Sequence, residues 1–323
     1  MNRAPFCRTG LSRRDVLSAA VLSLVSSAAC RRALSAGVWG AEPDSRSSVH
    51  VFSKHLQWLD YDGMAETAAE IGFDGVDLTV RPRGHVLPER VEEDLPKAVE
   101  AVRKAGLAVL TMTTAITDPR DPLTRSILRT AGRLGIRTYR MGYYRYTDEK
   151  PVPRQLDEIK PILADLAAMN ERYGLSGSYQ NHAGPQYVGA PLWDLHVLLK
   201  DLDARWIGCQ YDIRHATVEG GTTWPTTLRL MTPYINTLVA KDFRWTQDGD
   251  RWRPENCPLG EGMVDFPAYF KLLARQTISA PTSVHFEYPI GGAEHGAREL
   301  TTDRTQVTAA MRRDLSRLRA WLK

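Results

Sequence analysis

Eight short β-branched or apolar runs, separated by longer segments of helical period, constrain this chain more than any other feature. The runs cover residues 49–52, 75–80, 108–112, 138–141, 175–179, 206–211, 237–240 and 283–286. Between them, apolar residues recur at three-and-four spacing, as in Met64, Ala68 and Ile71, in Leu95, Val99 and Val102, and in Leu156, Ile159, Leu163 and Leu166. Leu192, Leu195, Leu198 and Leu199, then Phe266, Tyr269, Phe270 and Leu273, then Val307, Met311, Leu315, Leu318 and Leu322 continue the pattern. Gly72, Gly106, Gly135 and Gly174 each stand before the next strand-like run, where a left-handed residue closes a helix. Strands joined by crossover helices form a parallel sheet, and eight such units on ~280 residues match a closed barrel. The predicted fold is therefore α/β, a single-domain (β/α)8 TIM barrel. An open doubly wound sheet is the runner-up, but it would carry a Gly-rich first turn, and the turn after the first run is Ser53-Lys54-His55-Leu56.

The N-terminus reads differently. Ser12-Arg13-Arg14-Asp15-Val16-Leu17 precedes an uncharged stretch at 18–25, too short to span a bilayer, and then small residues. This is the order of a twin-arginine signal peptide, expected over residues 1–41, with the barrel over 42–323. Export to the periplasm or another extracytoplasmic space follows. Lipoprotein anchoring is not expected, because Ser27-Ala28-Ala29-Cys30 has Ser where a branched apolar residue belongs, and no transmembrane helix is expected once the leader is removed. The whole chain has 42 basic and 38 acidic residues, a formal charge of +4. Removing 1–41 takes six arginines and one acid, leaving 36 against 37 and a net of −1. The basic excess belongs to the leader, so nucleic acid is not an expected partner. A small-molecule carbohydrate is. Homo-oligomerisation is left open. Cys209 and Cys257 are the two thiols outside the leader, and Cys209, inside an apolar run, is expected to be an inert buried thiol.

In a (β/α)8 barrel the chemistry sits at the C-terminal ends of the strands. Polar residues cluster there: Arg81-Pro82-Arg83-Gly84-His85 after run two, Gln180-Asn181-His182 at run five, Asp212-Ile213-Arg214-His215 at run six, Lys241-Asp242 at run seven and Glu287-Tyr288-Pro289 at run eight.

With these residues the sequence resembles the xylose isomerase-like barrel superfamily of sugar isomerases and epimerases. The resemblance covers most of residues 49–320 and rests on Gln180-Asn181-His182, Asp212-x-x-His215, Val239-x-Lys241-Asp242, Gly260-x-Gly262 and Glu287, in order and at barrel spacing. It implies one divalent metal (Mn, Mg, Co or Zn) held by Glu, Asp, His and Glu at strand ends five to eight. Those positions here are Gln180, Asp212, Val239 and Glu287. A valine cannot ligate and a glutamine offers only a neutral oxygen, so the metal set reduces to Asp212, Glu287 and Gln180, and the metal is expected to bind weakly or to be absent.

The same changes bear on mechanism. Epimerisation beside a carbonyl needs a base on each face, and the resemblance assigns these roles to the strand-five and strand-eight glutamates. Gln180 cannot accept that proton. One-base chemistry remains, with Glu287 abstracting a proton and His215 or Lys241 donating to the carbonyl or departing oxygen. His182, Asn181, Gln180, His85 and Asp242 are the expected substrate-binding residues. The expected function is an isomerase or epimerase-like enzyme for a non-phosphorylated carbohydrate or polyol. The alternatives are a lyase, dehydratase or keto-glycoside-cleaving enzyme, and a sugar-binding barrel without catalysis. Trp58, Trp193, Trp224 and Trp245 are candidates either for stacking on sugar rings or for packing between helices.

Overall fold

The computed structural model describes residues 48–323; the expected leader lies outside the described residues. Strands β1 (Val49–Phe52), β2 (Gly75–Thr79), β3 (Ala108–Thr113), β4 (Thr138–Arg140), β5 (Ser176–Gln180), β6 (Ile207–Asp212), β7 (Ile235–Ala240) and β10 (Thr282–Val284) close in that order, β10 pairing with both β7 and β1. Every pairing in this barrel is parallel. Each of the eight sequence runs is one of these strands.

Helices α1 (Tyr61–Ile71), α2 (Val91–Lys104), α3 (Pro122–Arg133), α4 (Val152–Tyr173), α5 (Trp193–Leu199), α6 (Ile213–Gly220), α7 (Trp224–Met231), α8 (Phe266–Arg275) and α9 (Arg304–Trp321) surround the sheet. Aspartates start several of them, Asp60 accepting from Gly63 N and Asp265 from Ala268 N, which satisfies amides that have no partner inside the helix. Gly72 and Gly174 end α1 and α4 at φ 103° and 73°, a conformation an L side chain resists.

Strand periodicity divides the residues between two environments. Val49, Val51, Val76, Leu78, Ile207, Cys209 and Tyr211 pack outward into the hydrophobic layer under the helices. The alternate set points into the barrel and is largely polar. Thr113 and Ser283 hydroxyls donate to Asp77 Oδ1 and Oδ2 at 2.9 and 2.8 Å, and Thr111 and Thr138 oxygens meet at 2.8 Å. Phe52, Gln180, Asp212 and Val239 share this inward parity near the C-terminal end.

The chain after β7 departs from a plain βα unit. Strands β8 (Asp242–Asp248) and β9 (Arg251–Cys257) form an antiparallel hairpin outside the barrel. Its alternation of charged and aromatic residues carries no apolar run, so periodicity alone misses it. Behind the hairpin, the Asp242 carboxylate accepts from the backbone amides of Phe243, Gly260, Gly262 and Val264 at 2.8–3.1 Å. A nest of amides suits an anion. Asp242 is thus a structural anchor turned away from the cavity described below, not the substrate-binding residue expected from sequence, and it does not pair with Lys241.

This nest explains the Gly-x-Gly spacing. A Cβ on Gly262 would lie 2.2 Å from Asp242 Oδ1 and 2.3 Å from Phe243 O. Gly262→Ala is expected to cost roughly 1–3 kcal/mol in urea unfolding, by forced displacement of packed atoms. Glu261→Ala, which removes a surface pair with Arg317, is expected to cost under ~1 kcal/mol. Equal midpoints for the two variants would show that the nest is not a constraint.

Candidate active site

The ends of β1, β2, β4, β5, β7 and β10 surround a cavity of about 160 Å³ lined by Phe52, Lys54, Arg81, Arg140, Tyr143, Gln180, His182, Lys241, His285 and Glu287. Larger hollows lie elsewhere, one of about 520 Å³ between the hairpin and α9. Of these, the smaller one gathers acid, base and amide groups at the barrel's strand ends, where barrel chemistry takes place.

Lys241 organises it. Its Nζ lies 2.7 Å from His215 Nε2, 3.2 Å from Asp212 Oδ2 and 3.2 Å from Glu287 Oε2. An ammonium has three N–H donors, and here it meets three acceptors. Lys54 donates to the other oxygen of Glu287 at 2.8 Å. Burial would raise the pKa of Glu287, but the ammoniums of Lys241 and Lys54 outweigh it and hold the carboxyl well below the usual range. Burial raises Asp212 instead, against the opposing pull of Lys241.

Asp212 is fixed from several sides. Asn181 continues the β5–β6 ladder with its side chain, accepting from Asp212 N at 2.7 Å and donating to Asp212 O at 3.0 Å. The Asp212 carboxylate also caps α6 by accepting from His215 N at 3.1 Å. Asn181 therefore positions Asp212; it does not line the cavity. His215 is buried, with its Nδ1 3.1 Å from Arg214 Nη1. A neutral imidazole has one free lone pair, so Arg214 and Lys241 compete for it. His182 lines the cavity and lies with its ring centroid 4.0 Å from that of His215 and 4.1 Å from Tyr187. Its Nδ1 is 2.9 Å from Ala183 O, a pure acceptor, so Nδ1 carries the proton.

Gln180 reads unambiguously from its partners. Its amide nitrogen donates to Asp212 Oδ2 at 2.7 Å, while its oxygen accepts from Tyr143 at 2.5 Å and Arg140 at 3.2 Å. Reversing the amide would set oxygen against carboxylate and NH2 against guanidinium. The one Gln180 atom able to ligate a metal is thus occupied by two donors. Val239, beside Asp212 in the β6–β7 register, adds no donor. The implied divalent metal does not fit these residues: Asp212 and Glu287 do converge, but on an ammonium, and among the described residues no three His, Cys, Asp or Glu side chains are grouped to hold an ion.

His85 is not in the cavity. Its Nε2 lies 3.2 Å from Leu56 O and its Nδ1 3.3 Å from Thr79 Oγ1, so it pins the loop after β2. Arg81, from the same loop, faces the cavity instead. None of the four candidate tryptophans lines it: Trp224 joins the core, Trp58 packs against it, and Trp193 and Trp245 are exposed. Lys54, Arg140, Tyr143 and His285 were not singled out as site residues from sequence. Lys54 and Arg140 could have been, since each ends or directly follows a barrel strand. Tyr143 lies in the loop after β4, which carries no run or motif.

Six histidines are held neutral by burial. His50 and His85 come down to about 4 and His182 to about 3, while His55, His215 and His285 lie well below the ordinary 6.5. In an NMR titration their rings are expected to stay in the neutral form from pH 7.5 to 5, and a midpoint near 6.5 for any of them would contradict the burial. The sign for stability follows. Below pH ~6.5 the unfolded chain takes up protons that the native rings refuse, so each ring lowers stability as pH falls, by up to about 1.4 kcal/mol per unit. Asp77 and Asp212, raised by burial, act in the opposite sense.

A second expectation concerns the metal. Purified protein is expected to carry no stoichiometric divalent ion, and EDTA is expected to leave its Tm unchanged. A bound ion with a chelator-sensitive Tm would mean that Lys241 swings out of the carboxylate pair.

The family described as xylose isomerase-like TIM barrel matches residues 65–311. Among solved structures, D-psicose 3-epimerase from Clostridium cellulolyticum H10, in complex with D-tagatose, is 13% identical with TM-score 0.62, covering 85% of this chain and 99% of that one. A 3-keto-D-glucoside 4-epimerase from E. coli is 16% identical with TM-score 0.60, covering 85% and 99%. The probable 3-DHS dehydratase of petrobactin synthesis from Bacillus anthracis is 12% identical with TM-score 0.60, covering 84% and 98%. No curated protein matches the chain in sequence. At such identities the solved structures speak for the fold, whereas the family match spans most of the chain: this protein belongs to the xylose isomerase-like TIM barrel family.

Proposed function

We propose that the protein is an enzyme that removes the proton next to the carbonyl of a non-phosphorylated carbohydrate or polyol, as an isomerase or epimerase-like catalyst. The observation that carries this reading is the pairing of Glu287 with Lys241 at the cavity wall, beside an amide at position 180. Glu287 takes the carbon-bound proton, the C–H electron pair becomes the double bond of an enediolate, and the carbonyl pair moves onto oxygen. Lys241 donates to that oxygen. In the free protein Lys241 and Lys54 depress the basicity of Glu287. As the oxygen gains charge, they turn toward it, and the carboxylate recovers proton affinity when it needs it. Glu287 then returns its proton to the neighbouring carbon while the hydroxyl on the first carbon gives its proton back to Lys241 and becomes the new carbonyl, which yields the isomer and restores both groups.

Loss of a β-hydroxyl as water, with its proton supplied from Lys241, gives the dehydrated ketone instead. That second reading is favoured by Gln180, because an amide on the far side of the pair cannot reprotonate the opposite face. Solved structures of this fold include both epimerases and a probable dehydratase, which supports either outcome. Export through the twin-arginine leader expected over 1–41 is part of the proposal and is the reason for a non-phosphorylated substrate. No helix among the described residues is long and apolar enough to cross a membrane.

The test is proton exchange in D2O, followed by NMR over a panel of ketoses, keto-glycosides and keto acids. The wild type is expected to wash deuterium into the carbon next to the carbonyl of at least one of them, and Glu287→Gln to slow this by about 10²-fold or more. Appearance of a new alkene or enone would assign the lyase. Binding without exchange for every compound would assign a sugar-binding barrel.

A further inference from the structure

The cavity holds more positive charge than the proposed chemistry uses. Lys54, Arg81, Arg140 and Lys241 all reach it. Lys54 and Lys241 are matched to Glu287 and Asp212. The two arginines have no such match. Arg140 is 6% exposed and spends Nη1 on the Tyr143 hydroxyl at 2.9 Å and Gln180 Oε1 at 3.2 Å, and Nη2 on Thr114 O at 3.4 Å, all neutral acceptors. Its buried Nε has no partner. The Arg81 side chain has neither a hydrogen bond nor an ion pair among the described residues; its guanidinium carbon lies 5.4 Å from the centroid of Phe52.

Asp77, another buried carboxylate whose charge acts on them, forms no ion pair with either. Its two oxygens are taken by the Thr113 and Ser283 hydroxyls, and burial raises its pKa, which weakens it as a counter-charge. Burial and the neighbouring Arg140 bring Arg81 down to about 10, against the weaker pull of Tyr143, Asp77 and Glu287. Such an arrangement is costly to fold around unless a ligand completes it. The guanidinium fork is shaped for a planar, two-oxygen anion.

We propose that Arg81 and Arg140 bind a carboxylate of the substrate, so that the site takes a small keto acid of the carbohydrate class in preference to the neutral ketose. This rests on the carbonyl chemistry proposed above. Gln180 bridges Arg140 to Asp212, which in turn bonds Lys241, so one amide side chain separates the anion site from the acid–base pair. The two arginines and the acid–base pair line the same cavity, so a carboxylate held by the former would leave the adjoining carbons beside the latter.

The full chain is tested by calorimetry against pairs that differ only in CH2OH versus carboxylate, beginning with D-fructose and 2-keto-D-gluconate. Inorganic sulfate, which has no stereochemistry, serves as an independent probe by thermal shift against NaCl of equal ionic strength. The acid is expected to bind at least tenfold more tightly than its neutral partner in at least one pair, and sulfate to raise Tm. In Arg81→Gln, which removes a partly exposed side chain, the acid-to-neutral ratio is expected to fall at least tenfold, with a smaller sulfate shift; Arg140→Lys is expected to lower the ratio while retaining the charge. Equal affinities across all pairs, or a ratio untouched in a folded Arg81→Gln, would overturn the proposal. Tighter binding of D-fructose 6-phosphate than of any acid would replace carboxylate by phosphate and overturn it equally. Proton exchange on the same samples separates the two readings. Exchange into neutral ketoses without preference for acids removes the anion site and leaves the enzyme, whereas tight acid binding without exchange does the reverse.

Discussion

The ammonium of Lys241 is the interaction on which the rest of the site depends. Two carboxylates and an imidazole from β6, the start of α6 and the end of β10 converge within 3.2 Å of one nitrogen. Without that charge, Asp212 and Glu287 would face each other in a buried space, and the cost of bringing like charges out of water would fall on the barrel itself. Every neighbouring feature follows from holding this cluster in place. Asn181 splints Asp212 to β5, the Asp212 carboxylate caps α6, Gln180 turns its NH2 toward the same oxygen, and Lys54 neutralises the second oxygen of Glu287.

This arrangement gives a physical reason why a metal-type geometry and this chain part company. A divalent ion and an ammonium compete for the same carboxylate oxygens, and the amide at 180 resolves the competition. Its oxygen is engaged by Tyr143 and Arg140, so only its donor end faces the cluster. The family barrel is retained with its rim of acids, but the central cation is covalently part of the chain.

Much of the barrel was legible because a parallel strand buried on one face by helices must be apolar at alternate positions, and because helices of period 3.6 must follow to cover it. Val49 and Val51, Val76 and Leu78, and Ile207, Cys209 and Tyr211 declare their strands for that reason. The rim rule likewise placed Glu287, Lys241, Gln180 and His182 at the cavity. It misplaced His85, Asn181 and Asp242, which share the same rim and polarity; Asn181 is spent on the backbone of Asp212. His85 is claimed by the Leu56 carbonyl and Thr79, and Asp242 by four backbone amides, and no sequence spacing distinguishes a side chain that turns back to satisfy its own loop from one that turns inward.

The sequence alone therefore determined the closed α/β barrel and the end of it that carries the chemistry, since both follow from periodicity and from the direction of parallel strands. Only the tertiary structure decided which polar groups share the cavity, because that depends on where strands distant in sequence are brought together. Lys54 and Glu287 are 233 positions apart and meet at 2.8 Å because β1 and β10 close the barrel side by side. Arg81 and Arg140 face one cavity, yet neither forms an ion pair among the described residues, and this excess of positive charge exists in space but in no segment of the chain.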